Sequence, residues 1–191
     1  RCPVNYITPP GVTREQLYNN NTLINQNEQS LSLRVAGDGL EINDSRAVFK
    51  NVSVDMRQFK KLKMFLHAES LPNELPLADD QMVGFIRFGN DFTQNFYQIE
   101  IPLKVTQTST GNCQYTASEV WPEANEIDLA LSLLTKLKTE AMSIDASTLP
   151  LDGIFYKNED ELDSGLANKT NKLRLGIKGN PNFGMVRTLM V

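Results

Sequence analysis

Residues 54–70 read VDMRQFKKLKMFLHAES, and residues 81–106 read QMVGFIRFGNDFTQNFYQIEIPLKVT. These two stretches decide the fold. In the first, Leu62, Met64, Leu66 and Ala68 alternate with Lys61, Lys63, Phe65, His67 and Glu69. A strand sends successive side chains to opposite faces, so this alternation predicts a half-buried strand over 61–69. In 82–88, Met82, Gly84, Ile86 and Phe88 share one face, and Val83, Phe85 and Arg87 share the other. Both faces are largely apolar, which predicts a central strand covered on both sides. In 96–106, Tyr97, Ile99, Ile101, Leu103 and Val105 alternate with Gln98, Glu100 and Lys104. Pro102 has no N–H to donate, which places this strand at an edge or puts a bulge there. Leu62, Met64, Leu66, Ile86, Phe88, Ile99, Ile101 and Leu103 are the expected core.

Working outward, residues 1–27 are polar and rich in Asn, with Pro9-Pro10-Gly11 marking a turn. They read as an extended lead-in with a short helical turn around 13–18, capped by Thr13. Residues 28–36 alternate Leu31, Leu33 and Val35 with Ser32 and Arg34, the pattern of a half-buried strand. Residues 46–54 are β-rich. Leu133, Leu134, Leu137 and Ala141 fall on one helical face, so a helix is expected near 131–142. Short strands are expected at 151–156, 172–178 and 185–191, the last pairing with 172–178 through the turn cluster at 179–184. The expected fold is mainly β, a jelly-roll or galactose-binding-like β-sandwich with one α-helix, over 28–191. The apolar run at 185–191 stops without a polar cap, so the chain reads as a piece of a longer one.

Composition sets the function classes aside in turn. The 191 residues suffice for a sizeable core, and a net charge of −4 leaves no electrostatic footprint for nucleic acid. No run approaches the ~18 apolar residues of a membrane helix. The two cysteines, Cys2 and Cys113, are expected to stay unpaired, one in the lead-in and one in a polar loop. A single histidine, His67, rules out a zinc set and has no identifiable catalytic partner. The expectation is therefore no enzyme and no cofactor. A structural calcium is the one metal considered, held by loop oxygens of Asp79, Asp80, Asn90 and Asp91, or of Asp38 and Asp44. Phe92, Phe96, Tyr97 and Trp121 are the candidate ligand or partner surface, as a sugar-stacking platform. Asn-x-Ser/Thr triplets start at Asn20, Asn43, Asn51 and Asn168.

Several segments carry a family resemblance. They are YITPPGVTREQ at 6–16, NEQSLSLRV at 27–35, DMRQFKKL at 55–62 and MFLHAE at 64–69. FIRFGND at 85–91, YQIEIPL at 97–103, WPEANE at 121–126 and KGNPNFGMVRTLM at 178–190 complete the set. In this order they resemble the SprA/Sov family of outer-membrane translocons of the type IX secretion and gliding-motility system. The resemblance implies one non-enzymatic module of a very large envelope protein. Its implied partners are other segments of the same translocon and its associated secretion proteins. It implies a place in the bacterial cell envelope, associated with the outer membrane, without the repeated lipid-facing strands of the barrel wall. A carbohydrate-binding module of a cell-surface protein is the alternative reading. A hydrolase on a sandwich is the third.

Overall fold

A computed structural model describes residues 4–12, 16–19, 22–25, 30–35, 37, 39–71, 76–107 and 113–191. Its main body is a six-stranded antiparallel sheet. In spatial order the strands are β3 (Phe49–Val54), β10 (Val186–Met190), β5 (Val83–Gly89), β6 (Phe96–Pro102), β9 (Arg174–Lys178) and β8 (Phe155–Asn158). A two-stranded sheet pairs β4 (Lys61–Phe65) with β7 (Glu126–Ala130). Helix α2 (Leu131–Ala141) follows β7 directly and packs against β9 and β7. The small sheet and α2 form the second layer of the sandwich. Two single-turn helices, α1 (Ala117–Val120) and α3 (Glu159–Leu162), each open on a capping box. A separate hairpin joins β1 (Gln16–Asn19) to β2 (Thr22–Asn25).

One continuous apolar core lies between the layers. Ile86, Phe88, Ile99, Ile101 and Leu103 are buried as expected, and Leu62, Met64 and Leu66 pack against them half-buried. From the second layer, Ile127, Leu129, Leu134 and Leu137 are fully enclosed. The helix forms where the 3.6 period places its leucines on one face, and that face supplies the burial that a lone 11-residue helix lacks.

The structure corrects several expectations. Residues 16–19 form β1 rather than a helical turn, because pairing with β2 satisfies backbone groups that one isolated turn leaves open; Thr13 lies outside the described residues. Residues 30–35 form no strand: Leu31 and Leu33 are 66% and 49% exposed, and their backbone makes no ladder. The strand at 96–102 is central, not an edge, because Pro102 is its last residue. The ladder resumes at Leu103, whose N–H donates to the Met82 carbonyl, and Asn171 donates its side-chain amide to the Pro102 carbonyl. The last strand, β10, pairs with β3 and β5 rather than with the strand at 174–178. In β5 the expected two-sided cover fails, because the core lies on one face of the large sheet and Val83 on the other is 52% exposed.

Cys113 is disulfide-bonded, which overturns the expectation of unpaired thiols. The other cysteine of the sequence, Cys2, lies outside the described residues. The physical reason is visible in the described residues of the lead-in at 6–9, which are docked rather than free. Pro9 is buried, Tyr6 packs edge-on against Trp121, and the Trp121 indole N–H donates to the Ile7 carbonyl.

Candidate interaction surface

The face of the large sheet opposite the core carries an ordered polar and aromatic array. Alternation along β5, β6, β9 and β8 places Arg87, Gln98, Glu100, Arg174 and Tyr156 on it. Antiparallel register sets them side by side: Arg87 faces Gln98, Glu100 faces Arg174, and Gly176 faces both Gln98 and Tyr156. Arg87 Nε donates to Gln98 Oε1 at 2.7 Å, and its Nη1 donates to the Phe92 carbonyl at 2.8 Å. Gln98 Nε2 donates to Glu100 Oε1 at 2.6 Å and to the Tyr156 hydroxyl oxygen at 3.2 Å. Arg174 Nη1 donates to Glu100 Oε2 at 3.1 Å.

Both guanidinium groups also lie over rings, Arg87 at 4.0 Å from the Phe96 centroid and Arg174 at 3.8 Å from that of Tyr156. Gly176 makes this possible, since a Cβ there would come within 2.6 Å of Tyr156 Cε1. Burial lowers the Arg87 pKa, an effect that Tyr156, Glu100 and Asp152 oppose. Burial first, and then Glu100, pushes the Tyr156 phenol up to about 12. These groups are thus charged or neutral in fixed states near neutral pH.

The array is suited to recognition. Its Arg and Tyr side chains are the types that dominate binding energy at protein interfaces, and their rotamers are already held. A pre-ordered surface loses less side-chain entropy on association. Exposed groups rim it: the Arg174 side chain is 52% exposed, Val83 is 52% exposed, and Phe49 is 67% exposed beside Phe92.

The four aromatic residues singled out from the sequence do not form one platform. Phe96 and Tyr97 are 1% and 2% exposed. They alternate in β6, so Phe96 lies beneath Arg87 while Tyr97 points into the core, stacked on Phe183. Phe92 belongs to the array's rim through Phe49. Trp121 lies in a different cluster, edge-on to Tyr6, Phe65 and His67. Of the four, Phe92 and Phe96 touch the surface described here. Arg87, Gln98, Glu100, Tyr156 and Arg174 were not singled out. The signal for Arg87, Gln98 and Glu100 was present as strand alternation, but only cross-strand register brings in Arg174 and Tyr156.

His67 has polar neighbours on two sides. Its Nδ1 lies 2.8 Å from the Val120 carbonyl, so Nδ1 carries the proton and donates. Thr106 Oγ1 sits 3.2 Å from the same nitrogen but donates its own proton to the Glu119 carbonyl. Nδ1 therefore has no lone pair for the hydroxyl. Glu69 is 3.9 Å from Nε2.

The acids considered for calcium have structural partners. Asp79 accepts from the Val105 N–H, and Asp80 pairs with Lys104 at 2.6 Å. Asp91 accepts from the backbone N–H groups of Thr93, Gln94 and Asn95. Asp44 accepts from Ser45 N–H and Arg46. Asp38 lies outside the described residues. Among the described residues no group of three or more metal-ligating side chains is assembled, and no helix is long and apolar enough to cross a membrane.

Residues 1–191 match the SprA_N family, described as motility related/secretion protein, and the chain belongs to that family. Comparison with curated proteins found no match.

Proposed function

We propose that this chain is a non-enzymatic module of an outer-membrane protein-secretion translocon of the type IX, gliding-motility kind, and that it acts through protein contacts made by the open face of its large sheet. The observation that carries this is the array of Arg87, Gln98, Glu100, Tyr156 and Arg174, held on the sheet face opposite the core, with Gln98 buried beneath half-buried and exposed neighbours. Membership of a motility-related and secretion family supplies the setting. The disulfide at Cys113 supports placement in an oxidising compartment such as the cell envelope. The partners are other segments of the same translocon and its associated secretion proteins. The module needs no cofactor, since protein contact requires none.

The test is photo-crosslinking in cells that make the full-length protein, with the probe at Val83 or Arg174. Crosslinks to the same polypeptide or to secretion components support the reading. Crosslinks to glycan, or none from either position while the protein is assembled and functional, would refute it.

A further inference from the structure

The second open feature is the outer edge of β3. Val48 and Val191 exchange both backbone hydrogen bonds, N–H to carbonyl in each direction. Register then pairs Phe49 with Met190, Lys50 with Leu189 and Asn51 with Thr188. In an antiparallel ladder hydrogen-bonded and non-bonded pairs alternate, so the N–H and C=O groups of Phe49 and Asn51 point away from β10. Among the described residues β3 lies at the end of the sheet, so these groups face an edge with no described strand on it.

A matching strand lies nearby in sequence. Residues 30–35 have the period of a half-buried strand but stand exposed and unladdered. Lys50, Val52 and Val54 are on the core side of β3, because their partners Leu189 and Val186 and Val52 itself belong to the core or pack against it. Antiparallel docking with Leu33 opposite Val52 puts Leu31 opposite Val54 and Val35 opposite Lys50. Every apolar residue of the segment then extends the core layer, and Ser32 and Arg34 face outward. The intervening chain is built to reverse direction: Gly37, Gly39 and Asn43 all have positive φ, and Asp44 N–H closes a turn on the Glu41 carbonyl.

We propose that residues 30–35 are a detachable seventh strand, which docks antiparallel on the outer edge of β3 and stands off it in the conformation seen here. The inference does not depend on the role of the sheet's open face.

The test is amide hydrogen exchange by NMR on the 191-residue chain. The docked strand predicts that the amides of Ser32 and Arg34, which point at β3 in this register, and those of Phe49 and Asn51, exchange at least about tenfold more slowly than an unstructured chain. Asn51→Pro removes an outward N–H without removing a bond to β10, so it should return Ser32 and Arg34 to unprotected rates while β5 and β6 stay protected. Leu33→Pro, made outside the folded sheet, should release Phe49 and Asn51 in the same way. Unprotected exchange of Ser32 and Arg34 in the unmodified chain would overturn the proposal. So would protection that survives Asn51→Pro, or protection that rises with protein concentration together with a dimer in light scattering.

Discussion

The Trp121 indole Nε1 donates to the Ile7 carbonyl oxygen at 2.6 Å, across 114 positions of sequence. This bond and the edge-on contact of Tyr6 with the same indole fasten the lead-in to the segment after α1. The disulfide at Cys113 lies eight positions before Trp121, so the covalent and polar ties hold the same part of the chain. Trp121 is the only tryptophan and reports directly on this latch.

Reduction of the disulfide should therefore loosen the lead-in and let water reach the indole. The expected outcome is a red shift of tryptophan fluorescence and a lower melting temperature. A bridge closing a loop of this size contributes on the order of 2–5 kcal/mol. Unchanged emission and unchanged melting after full reduction would show that the lead-in is held by other contacts.

Asp91 organises the turn between β5 and β6. Burial pushes its carboxyl up, but bonds from the Gln94 amide, the Asn95 side chain and the Thr93 and Asn95 amides outweigh it and hold it well below the ordinary range. A carboxyl depressed in the folded state binds fewer protons there than in the unfolded state, so stability rises with pH between the two values. Its contribution is complete above the unfolded value of about 4 and is lost as pH falls toward the folded one. Equilibrium unfolding from pH 6 to pH 2 should show stability declining through the acid end, and Asp91→Asn should be less stable at pH 6 with a shallower decline. An equal slope in the variant would remove Asp91 from this account.

Gly89, the last residue of β5, and Gly179, just after β9, flank that turn. A Cβ on Gly89 would collide with the Asn95 carbonyl and Phe96 Cα, and one on Gly179 with the Gln94 carbonyl. Gly179 also has φ +62°, which disfavours any side chain. Both obstacles are backbone, which cannot swing aside as a side chain can. Gly89→Ala and Gly179→Ala should each cost about 1–3 kcal/mol or more in denaturant unfolding. Gly39→Ala, with no atom within 4 Å of its Cβ, is the control for the conformational term alone. Equal losses at all three positions would contradict the close-approach argument.

Much of the sheet was legible because period two survives wherever one face is buried. The rows Ile86–Phe88 and Ile99–Ile101 faced inward as read, and the leucines at 133, 134 and 137 marked α2. Residues 30–35 have an equally clean period and form no strand here, because periodicity describes a surface and not the presence of a partner. The pairing of β10 with β3 and β5 was illegible for a related reason: register between distant strands is set by the whole core, not by the turn that precedes the strand. The open-face array failed to show for the same reason. Arg174 meets Glu100, and Tyr156 meets Gln98, only after three strands have found their register.

The central claim is that the open face of the large sheet is a contact surface in secretion, and it is tested most directly by rim variants in the living cell. Val83→Lys changes an exposed group only, whereas Arg174→Glu also breaks the pair with Glu100, so the purified 191-residue double variant should stay folded and melt somewhat below the unmodified chain. With the full-length protein at normal abundance, the measurement is the amount of cargo delivered to the cell surface. The account predicts that the double variant delivers far less, on the order of tenfold, as loss of interface anchors would cause. Undiminished delivery by a double variant that is folded and present at normal levels would contradict it.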